Sequence, residues 1–249
     1  MFAVMFVYNV TVALLVLMFC SAQEVRDIHA DPASGETVLI EGDIVPTRNW
    51  KNADPCTSTG CKWPKSPDGN VYVPYLISYP YSATQMQVIQ KALDSFSTVS
   101  CIHFIPHTNQ RAYINIESLN GCWSLIGHTG SMQTVSLAQY GCIYHQIVQH
   151  ELLHVLGFHH EQSRSDRDKY IQVAWENVSD DMKVNFNIKR TLNRETPYDY
   201  NSVMQYQRTA FSKNGLPTMI PFPDPNVAFG QATEMSQNDI TRLKLLYQC

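Results

Sequence analysis

Charge is scarce in this sequence. Asp, Glu, Lys and Arg together make up 16% of 249 residues, the net charge is −4 at pH 7, and no run of Lys or Arg stands out. Nucleic-acid binding and electrostatic docking on a membrane therefore have no support. No Cys-x-x-Cys occurs, which argues against a cysteine zinc site or a thioredoxin-type redox pair. From Cys56 onward there is no linker, repeat or low-complexity tract. Hydrophobic residues, by contrast, reach 44%. That is a globular composition, long enough for one sizeable core or two small lobes sharing a cleft.

Met1 to Cys20 is almost all apolar apart from Asn9 and Thr11, with no Lys or Arg at its start, and Ser21-Ala22 supplies a small-residue cleavage site. Residues 1–22 read as a secretory signal peptide. The rival is an uncleaved anchor, since the run approaches the ~20 residues of a spanning helix. Six cysteines follow Cys20: Cys56, Cys61, Cys101, Cys122, Cys142 and Cys249. An even count implies three disulfides and an oxidising, extracellular setting, which favours the signal peptide. Residues 23–51 have no strong period and read as a pro-segment. Arg48 and Lys51 near its end suit a trypsin-like activating protease, which leaves 52–249 as the mature domain.

Met86, Ile89, Leu93 and Phe96 fall on one face and predict a helix over Ser82 to Ser97. Ile102 to Ile105, Ala112 to Glu117 and Thr134 to Leu137 are short and rich in β-branched or aromatic residues, so strands are expected there. Gly141 to Phe158 predicts a second, largely buried helix. Pro197, Pro217, Pro221, Pro223 and Pro225 make the next stretch irregular. A last helix is expected after the cap Ser236, with Asp239 at its third position and Ile240, Leu243 and Leu246 inward. The fold class is α+β in two lobes.

The chemistry lies in residues 150–161, His-Glu-Leu-Leu-His-Val-Leu-Gly-Phe-His-His-Glu. His150 and His154, four apart on a helix, share a face and can grip one zinc ion at about 2.0–2.1 Å per bond. Glu151 sits beside them, close enough to act on water without ligating. Gly157 lets the helix end by turning left-handed. The chain can then return His160 as a third ligand, leaving a fourth position open as in catalytic sites. His159 is the alternative third ligand; the Gly-x-x-His spacing favours His160. His103, His107, His128 and His145 have no comparable partner spacing.

The string from His150 to His160 resembles the metzincin zinc motif. Ser202-Val203-Met204-Gln205-Tyr206 looks like the methionine turn of that clan, with Met204 beneath the metal. Glu161 after the third histidine is the residue found in astacins. The chain from Cys56 to Cys249 is thus identified as similar to the astacin family, and its six cysteines and Ser163–Asp168 stretch resemble the fish hatching-enzyme and nephrosin group. Gln205 replaces the usual turn histidine. Gly42-Asp43 resembles the family's aspartate switch, with Ile40 in place of the preceding aromatic.

The resemblance implies a two-lobed metzincin fold, with a mixed sheet and the active-site helix in the first lobe and a coil-rich second lobe ending in a helix. It implies a secreted zinc endopeptidase made as a zymogen, with one Zn²⁺ per chain and protein or peptide substrates. Glu151 would be the general base and acid. Tyr206 would be a switchable fifth ligand that donates to the oxyanion. Asp43 would block the zinc in the precursor. The new amino terminus at Asn52 would be drawn to Glu161, and the Thr134 to Leu137 strand would be the cleft's edge. The implied disulfides are Cys56–Cys61, Cys101–Cys249 and Cys122–Cys142. Asn177-Val178-Ser179 is a glycosylation sequon. Neither the preferred substrate nor the oligomeric state is readable.

Overall fold

The computed structural model describes residues 39–45, 60–193 and 195–249. The expected signal peptide, most of the pro-segment, both processing sites and Cys56 lie outside those residues. Among the described residues no helix is long and apolar enough to cross a membrane.

Eleven elements organise the chain: β1 (Ile44–Val45), β2 (Val71–Ile77), α1 (Ala83–Val99), β3 (Ile102–Pro106), β4 (Tyr113–Glu117), β5 (Cys122–Leu125), β6 (Met132–Leu137), α2 (His145–Val155), β7 (Ile171–Val173), β8 (Met219–Pro221) and α3 (Gln237–Tyr247). Short 3-10 turns at Glu161–Ser163, Arg167–Lys169 and Asp180–Phe186 fill the coil-rich half. The first six strands form one sheet in the order β1-β5-β6-β4-β2-β3. It is mixed: β5 runs antiparallel to β6, and every other pairing in it is parallel.

Three details differ from expectation. β1, β2, β5, β7 and β8 have no counterpart among the expected strands. Helix α2 starts at His145 and not Gly141, because Cys142 is tied to Cys122 and Gly141 holds a left-handed φ of 101°. The strand expected as the cleft's edge, β6, is internal, with β4 on one side and β5 on the other. The outermost strand on that side is β1, from the stretch expected as a pro-segment, and it lies along β5 with Ile44 opposite Ser124 and Val45 opposite Leu125.

Two apolar clusters correspond to two lobes. The larger packs α1 and α2 on the sheet through Ile89, Phe96, Ile114, Ile116, Val135, Leu152 and Leu156, all fully or almost fully buried. Each such side chain contributes roughly 1.5–3 kcal/mol of burial. The smaller gathers Ile171, Val178, Phe186, Tyr198, Met219 and Phe229. Helix α3 comes from the second half of the chain, yet Leu243, Leu246 and Tyr247 join the first cluster. Ser82 and Ser236 close capping boxes with Gln85 and Asp239, so both of these amphipathic helices have satisfied starts.

The disulfides Cys101–Cys249 and Cys122–Cys142 are present, and Cys61 is also disulfide-bonded. The first closes a span of 148 residues and the second a span of 20. Loop-closure entropy assigns about 5 kcal/mol to the former and about 3 to the latter. Cys101→Ser/Cys249→Ser should therefore lower the denaturation midpoint more than Cys122→Ser/Cys142→Ser in parallel chemical unfolding. An equal or reversed ranking would refute an entropic origin.

Candidate metal centre and active site

Helix α2 ends where the sequence supplies glycine. Gly157 adopts φ 99°, its N–H returns to the His154 carbonyl at 2.8 Å, and Phe158 N–H bonds the Leu153 carbonyl at 3.0 Å. The remaining carbonyls of the last turn are also taken. Trp63 Nε1 donates to Val155 O at 2.9 Å and the Tyr247 hydroxyl to Leu156 O at 3.0 Å. A helix end buried this completely holds its side chains at fixed positions.

Three imidazoles converge at this end. His154 and His160 are fully buried, and the His150 side chain is 16% exposed. The Nε2 atoms of His154 and His160 each lie 3.1 Å from that of His150. Asp43 closes the group: one carboxylate oxygen is 3.1 Å from both His150 Nε2 and His160 Nε2, and the other is 3.4 Å from His154 Nε2. Among the described residues Asp43, His150, His154 and His160 form the one group of this kind able to hold a metal ion.

The other ring nitrogens fix the protons. Nδ1 of His150 faces Val203 O at 2.8 Å, that of His154 faces Phe158 O at 2.7 Å, and that of His160 faces a Glu41 carboxylate oxygen at 3.0 Å. Carbonyls and carboxylates only accept, so each Nδ1 carries a hydrogen, which leaves the three Nε2 atoms, turned toward one another and toward Asp43, as the positions where a metal ion would replace protons. The four side chains meet closely enough to share a proton or to hold one metal ion. Ligands about 2.0–2.1 Å from a tetrahedral ion lie roughly 3.3 Å from one another, close to the spacing seen. Burial holds His154 down to about 4. At His160 burial pulls the same way, but Asp43 and then Glu41 prevail and push it up to about 9. Burial thus keeps His154 neutral, whereas the carboxylates of Asp43 and Glu41 favour positive charge at His160; three imidazoles with a carboxylate are a zinc-type donor set.

Glu151 follows His150 on α2 and is 1% exposed. Ser124 Oγ donates to its backbone carbonyl at 3.1 Å, and its Oε2 has no hydrogen-bond partner among the described residues. Burial, and after it the charge of Asp43, raises the carboxyl well above its usual range. The Tyr206 ring lies tilted at 51° against the His160 ring, with centroids 4.4 Å apart, and its hydroxyl donates to the Glu41 carbonyl oxygen. Burial first, then Asp43 and Glu41, raises this phenol well above its ordinary value, so it keeps its proton. Met204 is buried in the turn beneath. Gly230 packs so closely there that a Cβ would meet Tyr206 O at 2.5 Å.

Glu41, which the sequence presents only as part of a turn, is 1% exposed and at the centre of a second network. Its carboxylate meets His159 Nδ1 at 2.9 Å, Lys189 Nζ at 3.2 Å, Ser163 Oγ at 3.2 Å and the His160 N–H at 3.3 Å. Burial alone would raise its pKa, but His159 and His160 hold it well below the carboxylate range. His159, the rival third ligand, thus points at Glu41. Glu161 is held by Arg242 in a two-pronged contact, by Arg164 at 3.4 Å and by the Asp199 N–H at 2.6 Å. A cavity lined by Phe158, Glu161, Arg164, Leu192 and Arg242 opens beside it. Asn177 lies apart from the centre: its side-chain amide donates to Pro217 O at 2.8 Å. Glu41 and Lys189 carry no local sequence signal, because their meeting with His159, His160 and Ser163 depends on tertiary structure.

The family model described as Astacin, a peptidase family, matches residues 58–248. Low choriolytic enzyme of Oryzias latipes is 46% identical over 213 residues, covering 85% of this chain and 78% of the relative. High choriolytic enzyme 1 of the same fish is 45% identical over 215 residues, covering 86% and 79%. The solved structure of High choriolytic enzyme 1, described as a hatching enzyme zinc-protease, superposes with a TM-score of 0.76 at 45% identity, covering 80% of this chain and 100% of that one. Myroilysin, at 15% identity and a TM-score of 0.54, covering 76% of this chain and 96% of its own, shares the fold alone. With its His cluster at the end of α2 and a family match from residue 58 to 248, the chain belongs to the astacin family of metalloendopeptidases.

Proposed function

We propose that this chain is the precursor of a secreted zinc endopeptidase that cleaves extracellular proteins. The convergence of three Nε2 atoms beside a buried carboxylate on the same helix carries the reading. His150, His154 and His160 would hold the zinc, with Asp43 completing its shell in the precursor. When bound, the ion supplies Lewis acidity, polarising a peptide carbonyl and making water acidic enough to attack near neutral pH. Glu151 takes the proton of the attacking water and returns it to the leaving amine. Tyr206, once freed from the Glu41 carbonyl, turns its retained proton toward the developing oxyanion. Processing at Lys51, in preference to Arg48, would free an ammonium at Asn52 to enter the cavity beside Glu161.

The test is cleavage of casein by the trypsin-activated protein, with metal analysis alongside. A chelator should abolish activity and added zinc restore it. His160→Ala should lose most of its bound zinc, whereas His159→Ala should retain about one ion per chain. Activity indifferent to chelator overturns the reading, and the reverse histidine pattern overturns the ligand assignment.

A further inference from the structure

We propose that Asp239 is a positioning residue for the metal centre, acting on His150 through Ser202 and the Val203–Met204 peptide. The inference rests on the zinc site proposed above. Asp239 is the third residue of α3, where a capping-box carboxylate needs only the N–H of its own cap. It does accept from Ser236 N–H at 3.0 Å. It is also 3% exposed and takes two donors from the methionine turn: Ser202 Oγ at 2.6 Å and Val203 N–H at 2.9 Å.

The hydrogen bonds beyond it all run one way. Ser202 Oγ, donating to Asp239, accepts from Met204 N–H at 3.0 Å. That N–H belongs to the same peptide unit as the Val203 carbonyl, which faces His150 Nδ1 at 2.8 Å. From His150 to Asp239 every link therefore donates toward the buried carboxylate. In such a chain each bond polarises the next. The negative charge of Asp239 makes the serine oxygen a better acceptor. The peptide oxygen gains in turn, and His150 Nε2 becomes more basic. Carboxylates that hold a ligand histidine directly work this way and are typically worth roughly 10–100-fold in metal affinity; here the charge arrives through a hydroxyl and a peptide. His150 needs it most. Its side chain is 16% exposed, whereas His154 and His160 have none of their side-chain surface exposed.

Three variants of the full-length chain separate this relay from helix packing. Asp239→Asn keeps the size of the side chain and removes its charge. Ser202→Ala cuts the relay and leaves the capping box intact. Leu243→Ala, a fully buried position on α3, destabilises the helix without touching the relay. Zinc affinity is measured by chelator competition, stability by melting of the chelated proteins, and ligand geometry by the visible spectrum after cobalt substitution. Asp239→Asn and Ser202→Ala should each weaken zinc binding about tenfold and shift the cobalt bands. The double variant should lose no more than one of them alone, as expected for links of one chain. Leu243→Ala should lower the melting temperature and leave affinity and spectrum unchanged. The relay is overturned if Asp239→Asn and Ser202→Ala keep wild-type affinity, or lose it only in step with stability as Leu243→Ala does. Failure of the wild-type chain to bind zinc would overturn the proposed centre itself.

Discussion

Glu151→Gln should reduce proteolysis by the activated protein about 10²–10⁴-fold while zinc content stays at one ion per chain. The carboxylate is 1% exposed, and one of its oxygens has no partner among the described residues. An unpaired buried carboxyl is costly, so this one is retained for a task other than packing. Glutamine fills the same volume and leaves the Ser124 hydroxyl bonded to the backbone carbonyl of residue 151, which no side-chain change removes. It cannot accept a proton from water at neutral pH. Peptide hydrolysis and metal analysis on the same preparation check the prediction. Activity within about tenfold of wild type, below the usual general-base contribution, would sink the acid/base role, and parallel loss of zinc would mean that Glu151 holds the site together instead.

Asp43→Ala should turn a silent precursor into an active one. Arg48→Gln and Lys51→Gln would keep the test protein uncleaved. Asp43 meets all three imidazoles and its backbone carbonyl accepts from Ser124 N–H at 2.9 Å, so it both fills the centre and anchors the chain to β5. Substitution removes the first function and leaves the second. Fluorogenic peptide hydrolysis by the uncleaved variant should rise at least roughly tenfold over the wild-type precursor, the scale of a lost charge-assisted contact of about 1.5–3 kcal/mol. Glu41→Gln should also loosen the latch, because it withdraws charge from His159, His160 and Lys189 in a buried setting. If both uncleaved variants stay silent, the pro-segment inhibits by bulk and not by its carboxylates.

How much of this is legible in the sequence depends on the reach of each signal. His150, His154 and Gly157 stand within one helix and its end, so the 3.6-residue period and the left-handed turn expose them. The two helices flanking the core are readable for the same reason. β2 is not. Pro74 interrupts Val71–Ile77, and proline is excluded from most central strands; here the ladder to β4 begins at Tyr75, one residue beyond. β5 has only four residues, too few for an alternation to show, and without it β6 reads as an edge. Glu41 and Lys189 are invisible locally because each is an ordinary polar residue until the stretch around Glu41 packs onto the metal centre. Asp239 reads as the capping-box partner of Ser236, which it is. Its second engagement, with Ser202 and Val203, belongs to a turn far away in sequence.

The lie of β1 along β5 also bears on solubility. A strand at the margin of a sheet carries a row of unpaired backbone groups that any extended chain can join. While Ile44 and Val45 pair with Ser124 and Leu125, that margin is closed to other extended chains. On the proposed processing, removal of these residues would expose backbone donors and acceptors together with the metal centre. Two restraints then remain against indiscriminate pairing. β5 is short, and Cys122 at its start is bonded to Cys142. The margin open to extended polypeptides would thus be kept to a few residues, and here it is sheltered by the chain's own strand.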